Sequence, residues 1–255
     1  MLWRIKETPH KVIGSVHFLP DGTAMPTWVQ KSCEGIERII FEADHTDPSV
    51  NEAGVDISGK HLVYPGAEGI YSRAESLLKS VGVDEPFDGL RPWKATFFVM
   101  AMLMQKNGIS FSNGVEALLH NYSKDKGLEV GYLEAPCRGF DVFESCGEPY
   151  DCLRFFEHLI DNIHTSRTEL FDIFNAWKTS NVTKLAEILD EKLKIFPDIF
   201  NQLVFQRNKE WGPVAVKFMV DRTPTLFVVG ALHCVGENSF LKNLSLYGFE
   251  ADYEK

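Results

Sequence analysis

Val12-Ile-Gly-Ser-Val-His17 and Phe227-Val-Val-Gly-Ala-Leu-His233, one near each end of the chain, decide how this protein folds. Each is a run of β-branched and aromatic residues that stops at Gly-x-x-His, the pattern of a short buried strand. The glycine lets the backbone turn, or lets another group come close. The histidine then stands past the carboxyl end of its strand, where open α/β sheets collect ligands. Two such strands side by side would bring His17 and His233 together.

The flanking sequence repeats this order. Trp3–Lys6 and Lys11–Val16 read as strands joined at Pro9, Pro26 opens a helix from Trp28 to about Arg38, and Ile39-Ile-Phe-Glu42 reads as a buried strand ending beside Asp44 and His45. At the other end, Thr225–Gly230 is a strand, Gly236–Leu244 a short amphipathic helix and Phe249–Tyr253 a last strand. Both ends run strand, Gly-x-x-His, helix, strand, and both carry Phe-Glu-Ala-Asp, at 41–44 and 249–252, as a duplicated half would.

Between them, residues 46–66 form a polar loop rich in Gly, Pro and Asp. Apolar residues then recur at helical spacing near 68–81, 92–107, 114–126, 151–178, 182–193 and 198–220. Leu128–Glu134 alternates instead, and reads as a lone strand among helices. The expectation is one α/β domain over 1–255. Its mixed sheet is assembled from both chain ends as two pseudo-repeated halves, joined by the central strand and covered by a mostly helical insertion over roughly 67–220. The row Phe97–Met102 belongs to the core of that insertion.

A net charge of -10 over 255 residues argues against nucleic acid or anionic lipid as the main partner, since both need a basic face. The longest apolar run, Phe97–Met104, is far short of the roughly 18–20 residues that span a bilayer. Met1-Leu-Trp-Arg-Ile-Lys6 has no apolar signal core, which implies a cytoplasmic protein, or an exported one whose leader is not part of this chain. The five cysteines contain no Cys-x-x-Cys pair. Cys137, Cys146 and Cys152 are near enough in sequence for a disulfide or a metal knot, but free thiols in a reducing compartment are the favoured reading.

The chemistry rests on three residues. A single histidine at a strand end is usually a hydrogen-bonded structural residue, but His17 and His233 hold equivalent positions in apparent repeats. Glu42 ends an apolar strand, where a carboxylate must be paired, protonated or bound to a metal. A salt bridge to a helical arginine such as Arg207 is its alternative. Two imidazoles and a carboxylate are a familiar set for a divalent transition metal with positions open to water. Such an ion activates water and polarises carbonyls, so hydrolysis of peptide or other amide bonds is the reaction class that follows.

These residues also carry a resemblance. Leu2-Trp-Arg-Ile with Gly14-Ser-Val-His17, the strand ending at Glu42, Leu90-Arg-Pro-Trp93, Gly114-Val-Glu116, Tyr132-Leu-Glu134, Gln206-Arg-Asn208 and Gly230-Ala-Leu-His233 occur in that order. The series resembles the TraB/PrgY/GumN family, which includes the Tiki proteases, over nearly the whole chain. The resemblance implies a ChaN-like fold group and a metal-dependent peptidase using manganese or cobalt, with zinc as a further option. It places His17 and His233 as metal ligands, Glu42 as ligand or general base, and Arg207 and Asn208 in the site. Glu116 stands where Asp is common, and Ala135 where Thr is common, departures that bear on substrate preference more than on the metal.

On a helix, Arg207 can clamp a substrate carboxylate or steady negative charge, and Asn208 can orient a ligand. An ion pair holding helix to sheet is the competing reading. Glu116 reads as a first-turn helix charge, and Glu134 as a cleft-facing candidate for substrate binding. Two other functions fit the same pattern. One is a non-catalytic protein that binds a peptide or saccharide, and the other is a partner in a transfer or polysaccharide assembly.

Overall fold

The computed structural model describes residues 1–56, 58, 64–110, 113–145 and 149–254. Val12, Ile13 and Leu226 through Val229 are wholly buried, as strands covered on both faces must be. They lie in β2 (Lys11–Ser15) and β7 (Thr225–Gly230), which run parallel as neighbours with Ser15 opposite Gly230. On the far side of β7 come β4 (Arg38–Phe41) and then β6 (Glu129–Tyr132), both parallel to it. β1 (Leu2–Ile5) pairs antiparallel with β2, and β8 (Ala251–Glu254) antiparallel with β1. The order is β6-β4-β7-β2-β1-β8, a mixed sheet from both chain ends and the central strand, and the protein is α/β.

Four adjacent parallel strands therefore end at one edge. Glu134, Glu42, His233 and His17 follow β6, β4, β7 and β2 respectively, so the sheet order is also the order of these residues along that edge. The two halves share their Gly-x-x-His endings but not their last strands. β4 lies in the parallel core beside β7, whereas β8 lies antiparallel at the opposite edge.

The first helix, α1 (Thr27–Ser32), stops short of the expected Arg38. Pro26 is its N-cap rather than a first-turn residue, and Gly35 has left-handed backbone at φ 72°, which turns the chain back toward β4. Within the 46–66 loop a short helix, α2 (Ser49–Glu52), forms; part of that stretch lies outside the described residues. Next come α3 (Ala67–Ser80), α4 (Pro92–Gln105) and α5 (Val115–Lys126), close to their expected spans. α6 (Arg138–Ser145) was not foreseen.

The expected helix 151–178 is two, α7 (Pro149–Asp161) and α8 (Ile163–Lys178). At the break, Asn162 leaves helical geometry and its amide donates to His158 O at 3.0 Å, the local side-chain bonding that competes with a helix. After α9 (Val182–Ile195), the expected 198–220 helix is α10 (Pro197–Phe200), a π-helix over Asn201–Gln206 and α11 (Arg207–Met219). The last helix, α12 (Phe240–Ser245), covers only part of 236–244.

The sheet core is continuous with buried residues of α5, α9 and α11, among them Leu119, Leu185 and Trp211. A second core inside the helical layer joins Ala74, Leu78, Val99, Leu103 and Phe156; of the 97–102 row Val99 is in that core, Phe98, Met100 and Met102 pack half-buried against it, and Phe97 packs half-buried on a third cluster. Among the described residues Cys33, Cys137, Cys152 and Cys234 form no disulfide with one another, and Cys146 lies outside those residues. No helix among the described residues is long and apolar enough to cross a membrane.

Candidate functional site

The site begins with a missing side chain. A Cβ on Gly230 would stand 3.3 Å from Glu42 Oε1, 3.5 Å from His233 Cδ2 and 3.7 Å from His17 Nε2. Three groups from three strand ends thus face one point, and the glycine keeps it open. The Gly230 N–H also donates to Glu42 Oε1 at 2.5 Å. Gly14 has a related role, since a Cβ there would stand 3.2 Å from Ala231 Cα, where the two motifs pass each other.

His17 sits on the loop after β2. The start of α5 docks against that loop, with Val115 N donating to Val16 O at 3.0 Å. Gly114 comes so close that a Cβ would lie 2.4 Å from His17 O. This docking puts Glu116 beside the ring, with His17 Nδ1 at 3.1 Å from Glu116 Oε1. Ser15 Oγ donates to the same carboxylate oxygen. Glu116 Oε2 is buried and has no hydrogen-bond partner among the described residues. The Glu116 carboxylate raises the His17 pKa, to about 9, although burial opposes it. Half of the His17 side chain (50%) is open to water, which screens that interaction.

His233 belongs to the 3-10 turn Ala231–Cys234 and is buried. Its Nδ1 bonds Asn208 Oδ1 at 2.8 Å, and the Asn208 amide donates to Asn238 O at 2.9 Å, which fixes the amide's orientation and makes Nδ1 the protonated nitrogen. Nε2 then accepts from Arg207 Nη1 at 3.3 Å. Burial, and secondarily the Arg207 and His17 charges, outweigh Glu42 and push this imidazole down to about 3, so it is neutral at pH 7.

Arg207 follows the six-residue π-helix, a rare wide turn that recurs at functional sites. Its Nε and Nη2 donate to Glu134, Nη2 also to Glu42 Oε2 at 2.8 Å, and Nη1 to Leu203 O and His233. None of the guanidinium's five N–H groups is left over for a substrate carboxylate. Its plane also packs on Trp211, 4.6 Å from the ring centroid. The ion pair of Glu42 with Arg207, anticipated as the alternative for this carboxylate, is present and buried, with side-chain exposures of 4% and 8%.

Burial pushes the Glu42 carboxyl up, but Arg207, the two imidazoles and the Gly230 N–H overcome this and hold it well below the usual carboxylate range. Glu134 N donates to Glu42 O at 2.9 Å, which brings the two side chains to one arginine. Trp211 Nε1 donates to Glu134 Oε2 at 2.7 Å. Burial, with Glu42 nearby, raises the Glu134 pKa against the pull of Arg207.

All six residues singled out from the sequence, His17, Glu42, Glu134, Arg207, Asn208 and His233, therefore meet at this sheet edge. Glu116 joins them, although a helix-start acid gives the same sequence signal whether or not it touches a histidine. His45, in a polar turn, carries no site signal in the sequence. It lies three residues beyond Glu42, and its ring stands edge-on to His17 with centroids 6.3 Å apart.

The donors fit a divalent ion by chemistry. Each candidate imidazole is held through Nδ1 by an acceptor, the outer support that metal-ligating histidines carry, and this directs Nε2 to the site. Among the described residues no three His, Cys, Asp or Glu side chains are already gathered at metal-ligand spacing. Binding at His233 would have to replace its contact with Arg207.

Among known protein families, the sequence model of the TraB/PrgY/gumN family matches residues 1–252, and the chain belongs to that family. No curated protein and no solved structure matches it.

Proposed function

For this member of the TraB/PrgY/gumN family, we propose metal-dependent hydrolysis, with peptide or other amide bonds as the leading substrates. The ion would be held by His17 Nε2, Glu42 Oε1 and His233 Nε2, with manganese or cobalt favoured and zinc as the further option. When bound, such an ion lowers the pKa of water toward neutrality and polarises a carbonyl. The observation that carries this reading is the convergence of His17, Glu42 and His233 on the space above Gly230.

The chain's own groups divide the remaining work. A carboxylate held far below its usual range is a weak proton acceptor, so Glu42 serves better as a ligand than as a general base. Arg207 keeps Glu42 ionised and Glu134 in place, and steadies negative charge at the site from behind the ligands rather than by clamping substrate. Asn208 sets the tautomer of the neutral His233, and Glu116 holds the His17 ring through Nδ1 so that Nε2 faces the site.

The test loads purified protein with manganese, cobalt or zinc and incubates it with a mixed peptide library read by mass spectrometry. Cleavage that requires the ion and is lost in His17→Ala and His233→Ala is the expected result. Protein that retains no ion and cleaves nothing would overturn the proposal.

One observation favours a second reading, a protein that binds a peptide or saccharide without cleaving it. Arg207 already fills the lone pair of His233 that an ion would need. Ligand affinity retained in His17→Ala would support this alternative.

A further inference from the structure

The donors at this edge are not equally available. His233 Nε2 accepts from Arg207, and Glu42 Oε2 does the same. Glu42 Oε1 takes one N–H from Gly230 and keeps a second lone pair facing the open point. Among the described residues His17 is held through Nδ1 alone, so Nε2 has no partner and can give up its proton to an ion. The next imidazole outward is His45, which is exposed and makes no hydrogen bond among the described residues.

We infer that His45 is a ligand of the divalent ion, joining His17 and Glu42 at the open side of the site. The inference rests on the reading that an ion binds here, and gives His45 the ligand place which that reading gave to His233. An ion about 2.1 Å from each nitrogen holds two imidazole centroids about 5.3 Å apart at a tetrahedral angle, and at most about 6.5 Å apart in line. His17 and His45 stand 6.3 Å apart with planes at 89°, about 1 Å wider than a tetrahedral pair, a gap that a turn of the His45 side chain closes. The exposed His45 ring can rotate without disturbing the core.

The turn that carries His45 is anchored where it leaves β4. Asp44 Oδ1 accepts from Thr46 N at 2.9 Å and from Thr46 Oγ1 at 2.6 Å. The resulting set is two imidazoles and one carboxylate, with the remaining positions left to water or substrate. His233 then stays with Arg207, as a neutral neighbour that helps hold Glu42.

The test is a titration of the full chain with cobalt(II) alone, followed by calorimetry and by visible absorption, in wild type, His45→Ala, His17→Ala and His233→Ala. Because His45 is exposed, His45→Ala keeps the fold, which a melting curve verifies. The expected result is that wild type binds one cobalt with a visible ligand-field band. His45→Ala then weakens binding at least tenfold and shifts the band, as His17→Ala does, while His233→Ala changes it less.

Unchanged affinity and spectrum in His45→Ala, with binding lost in His17→Ala and His233→Ala, would overturn the inference and leave the proposed function intact. Binding lost in His17→Ala and His45→Ala but kept in His233→Ala would support the inference and remove His233 from the ligands. No binding by wild type would overturn both.

Discussion

His17 leaves β2 on an open loop with half its side chain in water, whereas His233 leaves β7 inside a 3-10 turn that buries it. The strands are parallel neighbours and the motifs are the same, yet the partners differ in charge. His17 leans on a carboxylate, Glu116, and holds its proton up to about pH 9. His233 leans on a neutral amide, Asn208, faces a guanidinium, and stays unprotonated down to about pH 3. A shared motif thus fixes where the backbone puts an imidazole. Its charge is set by the residue at Nδ1 and by access to water.

The largest way to break this contrast is to remove Arg207. Arg207→Met strands Glu42 and Glu134 in the interior without their cation, and should cost about 3–5 kcal/mol of stability by denaturant unfolding. Glu42→Gln in the same chain should return part of that loss. If Arg207→Met were nearly neutral, the buried ion cluster would not support the fold.

Glu116→Gln sharpens the contrast from the other side. Without the carboxylate, the His17 pKa should fall from about 9 toward the ordinary value of about 6.5, read by NMR of the imidazole protons. The signs for stability follow. A folded pKa above the unfolded one means that protonated His17 adds stability that is whole below about pH 6.5 and fades as pH rises through about 9. For His233 the folded pKa is depressed, so its contribution is whole above about pH 6.5 and is lost as pH falls toward about 3. Glu116→Gln should abolish the alkaline loss and leave the acid one.

Asn208→Ala acts on the buried motif alone. It leaves the His233 N–H without an acceptor and should cost about 1–3 kcal/mol. The smallest effect is expected from Ser15→Ala, which removes one hydroxyl from a Glu116 that still has His17, at about 1 kcal/mol. A larger cost for Ser15→Ala than for Asn208→Ala would contradict this ranking, since both residues are buried and only the partner left behind differs.

Much of the sheet was legible because fully buried strands announce themselves as apolar runs. Ile39 through Phe41 and Leu226 through Val229 need no partner information to be recognised. His17, Glu42 and His233 were legible because polar groups at the ends of such runs have few ordinary explanations, whereas Glu134 ends an alternating strand and Arg207 and Asn208, inside a helix, were placed by the family resemblance. What escaped is what depends on side-chain geometry. The π-helix before Arg207 and the break at Asn162 keep helical apolar spacing, so periodicity passes through them. β8 pairs antiparallel because of how the chain returns, which no local pattern records. His45 lies in a polar turn, where an isolated imidazole looks like any surface residue.

The most direct measurement is an anomalous difference map from a crystal soaked in manganese. The account predicts one strong peak above Gly230, within coordination distance of His17 Nε2 and Glu42 Oε1. A clean map there, with the Arg207 bonds to Glu42 and His233 unchanged, would contradict it.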